Sequence, residues 1–415
     1  MKLKSIRYTN YRGLKTGEIS FDDHLTVIVG KNGAGKSSVL SAANIAMSWI
    51  VARLKSDKTN GFYIEEDSIT NGQMHAQLEA DFDVLSSTIS IPNKAKKGIQ
   101  KKFSLCIDAV KEYATAKRNE FEQKNFRTSI PIMVYYGVKR AVIDIPLRIN
   151  RHDYSIWDAY KDCFNGAANF RDFFCWFRNQ EDIENEYKAS IRNDDGKSYT
   201  RDLDAFRNAL KIFMPEYKDI HVRRSPLRMQ VSKHGETLDV NQLSDGEKIY
   251  LALIGDLCHR LALANPTLAD PLQGEGIVLI DEIDLHLHPE WQGSFAARLT
   301  EVFPNIQFVI TTHSPHVINR VEASAIRILT GADVKDADYS FGLPSEVILK
   351  DVMGLTNDQP EKVEKLIARI YEVLQQNNLA EVKPAITELE TLAPGHPELT
   401  RLYKLAERLE RRSAQ

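Results

Sequence analysis

One octapeptide constrains this chain more than any other stretch: Gly30-Lys31-Asn32-Gly33-Ala34-Gly35-Lys36-Ser37. The run before it, Leu25 to Val29, is apolar, and the segment after it, Ser38 to Ala43, is helix-forming. A strand, a glycine-rich turn and a helix start in that order define a P-loop. Glycine at positions 30, 33 and 35 lets the backbone take positive φ, so that successive N–H groups point inward. The following helix turns its positive end on the same point, and Lys36 adds a charge for β- and γ-phosphates. Ser37 would place its hydroxyl on a magnesium ion. The residues expected around ATP are Asn32, Gly33, Gly35, Lys36, Ser37 and Ser38. A nucleoside triphosphate is the expected ligand.

Bulk properties narrow the setting. A chain of 415 residues can bury a large core and is expected to hold one elaborated domain or two lobes. Its net charge of −3 supplies no global positive field for nucleic acid, so any such contact needs a local patch. Cys106, Cys163, Cys175 and Cys258 are scattered without a C-x-x-C pair, which fits a reducing compartment rather than a disulfide framework. The N-terminus lacks an apolar signal core, and no apolar run approaches the roughly 20 residues of a membrane span. The expectation is a soluble, cytoplasmic protein with no membrane partner.

Read in order, residues 2–9 and 19–21 are strand-like and 38–54 helical. Residues 74–82 and 103–110 alternate as antiparallel strands would, and Lys94, Lys96, Lys97, Lys101 and Lys102 lie between them. A solvated hairpin tip and a nucleic-acid contact both fit that basic cluster. Residues 130–136 form a fully apolar strand. From 153 to 214 aromatics recur at helical spacing, the pattern of a small helical core. Three short strands follow, with a second basic patch of Arg223, Arg224, Arg228 and Lys233. Then come Leu243-Ser244-Asp245-Gly246-Glu247-Lys248 opening a helix, a buried strand 276–280 ending in Asp281-Glu282, and a strand 305–310 ending in Thr311-Thr312-His313-Ser314. From 344 onward the pattern is helical.

The expected fold is α/β: an ATPase head with a mixed sheet and P-loop, a compact helical lobe and a C-terminal helical region. The expected boundaries are 1–136 and 241–331 for the two parts of the ATPase lobe, 137–240 for the helical insertion, and 332–415 for C-terminal helices that would dock a partner.

The order GKNGAGKS, LSDGEK, IVLIDEID, ITTHS resembles an ABC-type ATPase, and the opening IRYTNYRGLKTGEISF resembles the RecF, SMC and OLD-like soluble branch. The resemblance covers roughly 1–50 and 241–330. On it, Asp281 would hold magnesium with Ser37, Glu282 would orient the attacking water, and His313 would hydrogen-bond the γ-phosphate. The resemblance also implies that Ser244, Gly246 and Glu247 serve the γ-phosphate of a second copy, so that a homodimer or higher oligomer sandwiches ATP. Arg12 matches a position that touches nucleotide in SMC-like relatives. Two departures stand out. Asp245 replaces a common glycine, and Gly137 to Arg140 stand where a glutamine-bearing loop would follow the 130–136 strand.

The insertion lacks sustained heptads, which excludes a long coiled coil. Asp284, His286 and His288 raise a metal site as a lesser alternative, because His at i and i+2 do not share a helix face. The tail carries none of the acidic pattern of an OLD-type nuclease domain. The YYGVKR exit and the tail FGLPSEVILKDVMGL resemble the PtuA-type ATPases of Septu and retron-associated antiphage systems. That family implies an HNH nuclease partner. A RecF-like DNA-repair clamp and a nucleotide-gated scaffold with little turnover remain the alternatives.

Overall fold

The computed structural model describes residues 1–92, 105–124, 127–138, 153–190, 201–331, 333–354, 360–376 and 378–413. The chain forms two compact units, Met1–Met353 and Gly354–Gln415.

The first unit opens with a hairpin, β1 (Leu3–Tyr11) and β2 (Leu14–Ser20). Strand β3 (Leu25–Gly30) runs into the glycine-rich loop, and helix α1 (Lys36–Lys55) leaves it. The chain then adds β4 (His75–Phe82) and β5 (Ser86–Pro92) to an antiparallel sheet of order β2-β1-β4-β5. In β4, Ala76, Leu78, Ala80 and Phe82 are buried while the residues between them are half-buried, the signature of a sheet with one face on the core.

Of the expected strand 103–110, Phe103 and Ser104 lie outside the described residues, and the described part, 105–110, is not a strand: helix α2 (Asp108–Gln123) begins inside it, and Cys106 makes an isolated bridge to Thr88. Asp108 sits in the first turn, where the helix dipole favours an acid, and the Ala-, Glu- and Lys-rich sequence that follows favours helix over strand. The partner of β4 is the polar Ser86–Pro92 stretch instead. The expected lysine cluster at 94–102 lies outside the described residues.

Strand β6 (Ile132–Tyr136) is followed by two helices, α3 (Phe170–Ser190) and α4 (Arg201–Phe213). Phe170, Phe173, Phe174, Trp176, Phe177, Phe206 and Phe213 are buried, so the aromatic pattern is a packed core. A small antiparallel sheet follows, β7 (Tyr217–Arg224), β8 (Leu227–Lys233) and β9 (Glu236–Asp239). Here the second basic patch is largely neutralised. Arg224 pairs with Glu181 at 2.8 Å and Asp182 at 2.5 Å, Arg228 with Asp239 at 2.5 Å, and Lys233 with Glu247 at 2.6 Å.

The remaining elements are α5 (Asp245–Ala264), β10 (Gly276–Ile280), α6 (Pro289–Val302), β11 (Ile306–Thr311), α7 (Pro315–Ile318), β12 (Ile326–Thr330) and β13 (Asp333–Asp336). A short helix, α8 (Ser345–Val347), continues as a π-helical turn over Ile348–Val352.

The central sheet has the order β13-β12-β3-β11-β10-β6 and is parallel except for its β12–β13 edge. β10 and β11 are buried at every position, as strands covered on both faces must be. Helix α1 is long and apolar enough by composition to cross a membrane, but it spends that apolarity on the core, burying Val39, Leu40, Trp49 and Ile50. Gln307, fully buried at the start of β11, joins the two large sheets. Its Oε1 accepts from the Leu3 N–H at 2.7 Å, and its Nε2 donates to the carbonyls of Leu3 and Asp22 at 2.8 and 2.7 Å.

The second unit holds α9 (Glu361–Gln375), α10 (Leu379–Leu392) and α11 (Pro397–Ser413). Its own core is built from Leu366, Ile370, Val382, Ile386, Leu389 and Leu402.

Candidate functional site

Because β3, β11 and β10 are neighbours and parallel, their carboxyl ends lie side by side, the position where open α/β sheets bind ligands. β3 delivers the glycine-rich loop, β10 delivers Asp281-Glu282, and β11 delivers Thr311-Thr312-His313.

The loop takes the conformation its glycines allow. Gly30, Gly33 and Gly35 all have positive φ, and Gly35 caps α1 without a side-chain hydrogen bond. The first N–H groups of α1 are thus left to an anion. Lys36 is buried, and its Nζ donates to the carbonyls of Gly30 at 2.9 Å and Lys31 at 3.3 Å, so it is folded across the mouth of the loop. Burial lowers its pKa, opposed by the charges of Glu282, Asp281 and Asp284. An ammonium that gives up water in the field of those acids is placed for a polyanion. Ser37 and Ser38 lie in the first turn of α1, with Asn32 and Gly33 in the loop before it.

Asp281 is buried, and its Oδ1 accepts from the Thr311 hydroxyl at 2.6 Å. The same hydroxyl accepts from the Glu282 N–H at 2.7 Å, and the Ile283 N–H donates to the Thr311 carbonyl at 3.0 Å. These bonds hold Glu282 at a φ of 47°, a left-handed conformation a non-glycine residue takes only when its neighbours enforce it. Next door, Asp284 Oδ1 accepts from the Thr312 hydroxyl at 2.5 Å and from the His313 N–H at 3.3 Å. Burial lowers the His313 pKa, and the Lys36 charge lowers it further against Asp284, Glu282 and Asp281. At neutral pH the ring is therefore uncharged, one nitrogen donating and the other accepting. The shared electrostatic partners of Lys36 and His313 place both in one cluster with the three acids.

Thr311 and Thr312 were given no role in the sequence reading, and Asp284 was weighed there only as a metal ligand. Their signal was present in the doubled threonine of ITTHS and in the D-E-x-D spacing. Asp284 serves this network, and among the described residues no three His, Cys, Asp or Glu side chains gather as a metal cage, so the Asp284–His286–His288 alternative has no structural support. The Ser37 hydroxyl and Asp281 carboxylate are hard oxygen donors of the kind magnesium takes together with phosphate oxygens and water.

The signature residues stand apart from that cluster. Ser244 is the N-cap of α5 in a reciprocal capping box with Glu247. Gly246 packs so closely that a Cβ there would collide with the His286 carbonyl oxygen, which ties the start of α5 to the loop after Glu282. Glu247 points inward to Ser244, Tyr217 and Lys233, so its carboxylate serves the cap rather than reaching outward. Asp245 is exposed in the first turn. Arg12 is exposed beyond the end of β1 at a φ of 53°, its N–H donating to Ser68 O at 2.6 Å and its guanidinium 5.4 Å from the Tyr11 ring. Tyr136, at the end of β6, links the two halves of the unit: its carbonyl accepts from the Asp281 N–H at 2.8 Å, and its hydroxyl donates to Asp256 of α5 at 2.7 Å. Of the stretch where a glutamine loop was sought, Lys139 and Arg140 lie outside the described residues.

Comparison with known proteins agrees with this geometry. The family described as AAA ATPase domain matches residues 1–318. The chain is 30% identical over 397 residues to a probable ATPase of retron Vc95 from Vibrio cholerae serotype O1 biovar El Tor, across 83% of this chain and 76% of that protein. It is 30% identical over 428 residues to a probable ATPase of retron Ec83 from Escherichia coli, across 88% and 79%. Septu protein PtuA from Bacillus thuringiensis is 24% identical over 429 residues, covering 97% of each chain.

Proposed function

The chain belongs to the AAA ATPase domain family, and from that membership we propose that it binds and hydrolyses ATP as the regulatory subunit of a cytoplasmic antiphage defence complex. The observation that carries the ATPase part is the convergence of Lys36, Asp281, Glu282 and His313 at the ends of three adjacent parallel strands. The loop from Asn32 to Ser38 would bind the phosphates through N–H groups and Lys36. Ser37 and Asp281 would hold a magnesium ion through oxygen, and that ion would supply neutralisation of phosphate charge. Glu282, whose N–H is held by the Thr311 hydroxyl, would accept a proton from an attacking water, and His313 would donate to a γ-phosphate oxygen. Ser244 and the first N–H groups of α5 would meet the nucleotide of a second copy, making a dimer that closes on ATP.

The defence role and the partner are drawn from the relatives, whose names place them in retron and Septu systems. An HNH nuclease is the proposed partner, with the separate helical unit 354–415 as its docking module. Pairing of three of the four cations at 223–233 with carboxylates disfavours a DNA clamp built on that patch.

The test begins with ATP turnover and binding. Lys36→Ala should abolish binding. Glu282→Gln should leave binding intact and cut turnover by about 10²- to 10⁴-fold, the usual weight of a general base. Co-expression with a neighbouring nuclease then reads the partner. An unchanged rate in Glu282→Gln would remove the hydrolytic assignment, and failure of the nuclease to co-purify would remove the partner.

A further inference from the structure

The loop that opens α5 is held from outside as well as by its own cap. Glu247 receives four donors. Its Oε2 accepts from the Ser244 N–H and from the Ser244 hydroxyl, each at 2.7 Å. Its Oε1 accepts from Lys233 Nζ at 2.6 Å and from the Tyr217 hydroxyl. Tyr217 opens β7 and Lys233 ends β8. The two are cross-strand partners, with the ammonium 5.0 Å from the phenol ring centre. Glu216, at 3.7 Å from Lys233, lies farther out and is more exposed. The Lys233 and Glu247 side chains are only 23% and 14% exposed and Tyr217 is buried, so these charge-assisted bonds form where water competes little.

The arrangement has a chemical consequence for Ser244. Burial alone would raise the Glu247 pKa, but the bonds from Lys233, Tyr217 and Ser244 hold it down to about 2. A carboxylate so well supplied with donors is a poor base. The Ser244 hydroxyl is thereby oriented on Oε2 at 2.7 Å and can pass to a phosphate oxygen while the other donors keep Glu247 in place. The Ser244 N–H stays on Oε2 meanwhile and keeps the first turn of α5 in shape. With its Oε1 donors gone, Glu247 would either swing out of the box or hold the Ser244 proton more firmly.

We infer that Lys233 and Tyr217 are positioning residues of the signature loop: they fix Glu247 so that Ser244 and the first N–H groups of α5 are preset for the γ-phosphate of ATP bound to a second copy. The inference rests on the two-copy reading proposed above. It also makes the small β7–β9 sheet, which no nucleotide touches in that reading, the support of half the composite site.

The experiment separates single-copy binding from association. In the full chain carrying Glu282→Gln, binding of a fluorescent ATP analogue is measured at protein concentrations too low for dimers, and ATP-driven association is followed by light scattering. Lys233→Met should leave single-copy binding within about twofold and weaken association about tenfold or more, the weight of one charge-assisted bond. Lys233→Arg should restore most of the association, which loss of packing alone does not predict. Tyr217→Phe deletes one hydroxyl, should weaken association about threefold to tenfold, and decides the matter if Lys233→Met fails to fold. In the hydrolysing protein the same changes should lower kcat with little change in the KM for ATP. Association at the parental level in both Lys233→Met and Tyr217→Phe overturns the inference. If the parental protein binds ATP but never associates, the two-copy reading falls first and takes the inference with it.

Discussion

Replacing Arg260 by methionine would isolate a single buried charge. In the native protein Arg260 and Asp256 lie one turn apart on α5, with side chains 2% and 1% exposed. Arg260 Nε donates to Asp256 Oδ2 at 2.8 Å, and its Nη1 donates to the carbonyls of Ala159 and Lys161, both at 2.8 Å. Burial would lower the guanidinium pKa, but Asp256 and Tyr136 hold it above its ordinary value. Removing the guanidinium leaves a carboxylate in the core with, among the described residues, the Tyr136 hydroxyl for support, at a cost of about 3–5 kcal/mol. The buried Ala159 carbonyl adds about 1–2 kcal/mol.

Such a loss is a large part of the roughly 5–15 kcal/mol that holds a typical domain together. Urea unfolding read by tryptophan fluorescence suits the purpose, because Trp49, Trp157, Trp176 and Trp291 all belong to the unit Met1–Met353. With a slope of about 3 kcal/mol/M, the midpoint should fall by more than about 1 M. Tyr136→Phe should cost less, about 1.5–3 kcal/mol for one bond to a charged acceptor. The double change Asp256→Leu with Arg260→Met should recover much of the loss, since no uncompensated charge remains. A midpoint shift below about 0.3 M for Arg260→Met would refute the buried-pair account, because it would mean that water or a rearrangement satisfies the carboxylate. A double variant as weak as the single would assign the cost to packing and the carbonyls instead.

Gly246→Ala should lower ATP turnover and cost about 1–3 kcal/mol of stability, since the new Cβ pushes against the His286 carbonyl; wild-type behaviour in both assays would show that the loop yields freely. Glu247, with a pKa of about 2 folded against an ordinary 4.5, is a depressed carboxyl, so its contribution is complete above about pH 4.5 and lost as pH falls towards 2. Urea midpoints should therefore show no Glu247 contribution to a pH dependence between about pH 5 and 8, while in Lys233→Met the acid loss should begin at the same pH, be smaller, and end at a higher pH than in the parent. Gln307→Leu strips partners from the Leu3 N–H and from two carbonyls, and should cost about 2–4 kcal/mol with faster amide exchange along β1.

The nucleotide-binding part of this fold was legible because its signals are local. Leu25 to Ser41 carries an apolar strand, three glycines and a helix start within one short window, and the structure realises each of them. The paired acids and the His313 segment likewise follow continuous apolar strands, which only a covered parallel sheet explains. Elements that depend on partners distant in sequence were harder to see. Ser86–Pro92 is polar enough to pass for a loop, and becomes a strand because β4 offers a ladder. Glu247 was named only as part of the signature stretch, because nothing near it in sequence announces its bonds to Tyr217 and Lys233. Asp256 and Arg260 stand at i and i+4, a spacing common to exposed helical pairs. Only the packing of β6 and the 159–161 turn around them makes this pair a buried one.

Gln307 sets a schedule for the protein's birth. Its three hydrogen bonds reach back to Leu3 and Asp22, and the Leu3 bond spans 304 residues of chain. The β1–β2 hairpin is made long before β11 and cannot be locked onto the central sheet until β11 has emerged. At about 5–20 residues per second, that wait lasts roughly 15–60 s. Throughout it, the apolar faces of β1 and β3 lack their final cover, and the glycine-rich loop has no acids opposite it. The chain's ability to engage nucleotide arrives late and all at once, when one strand delivers both the stitch and the switch.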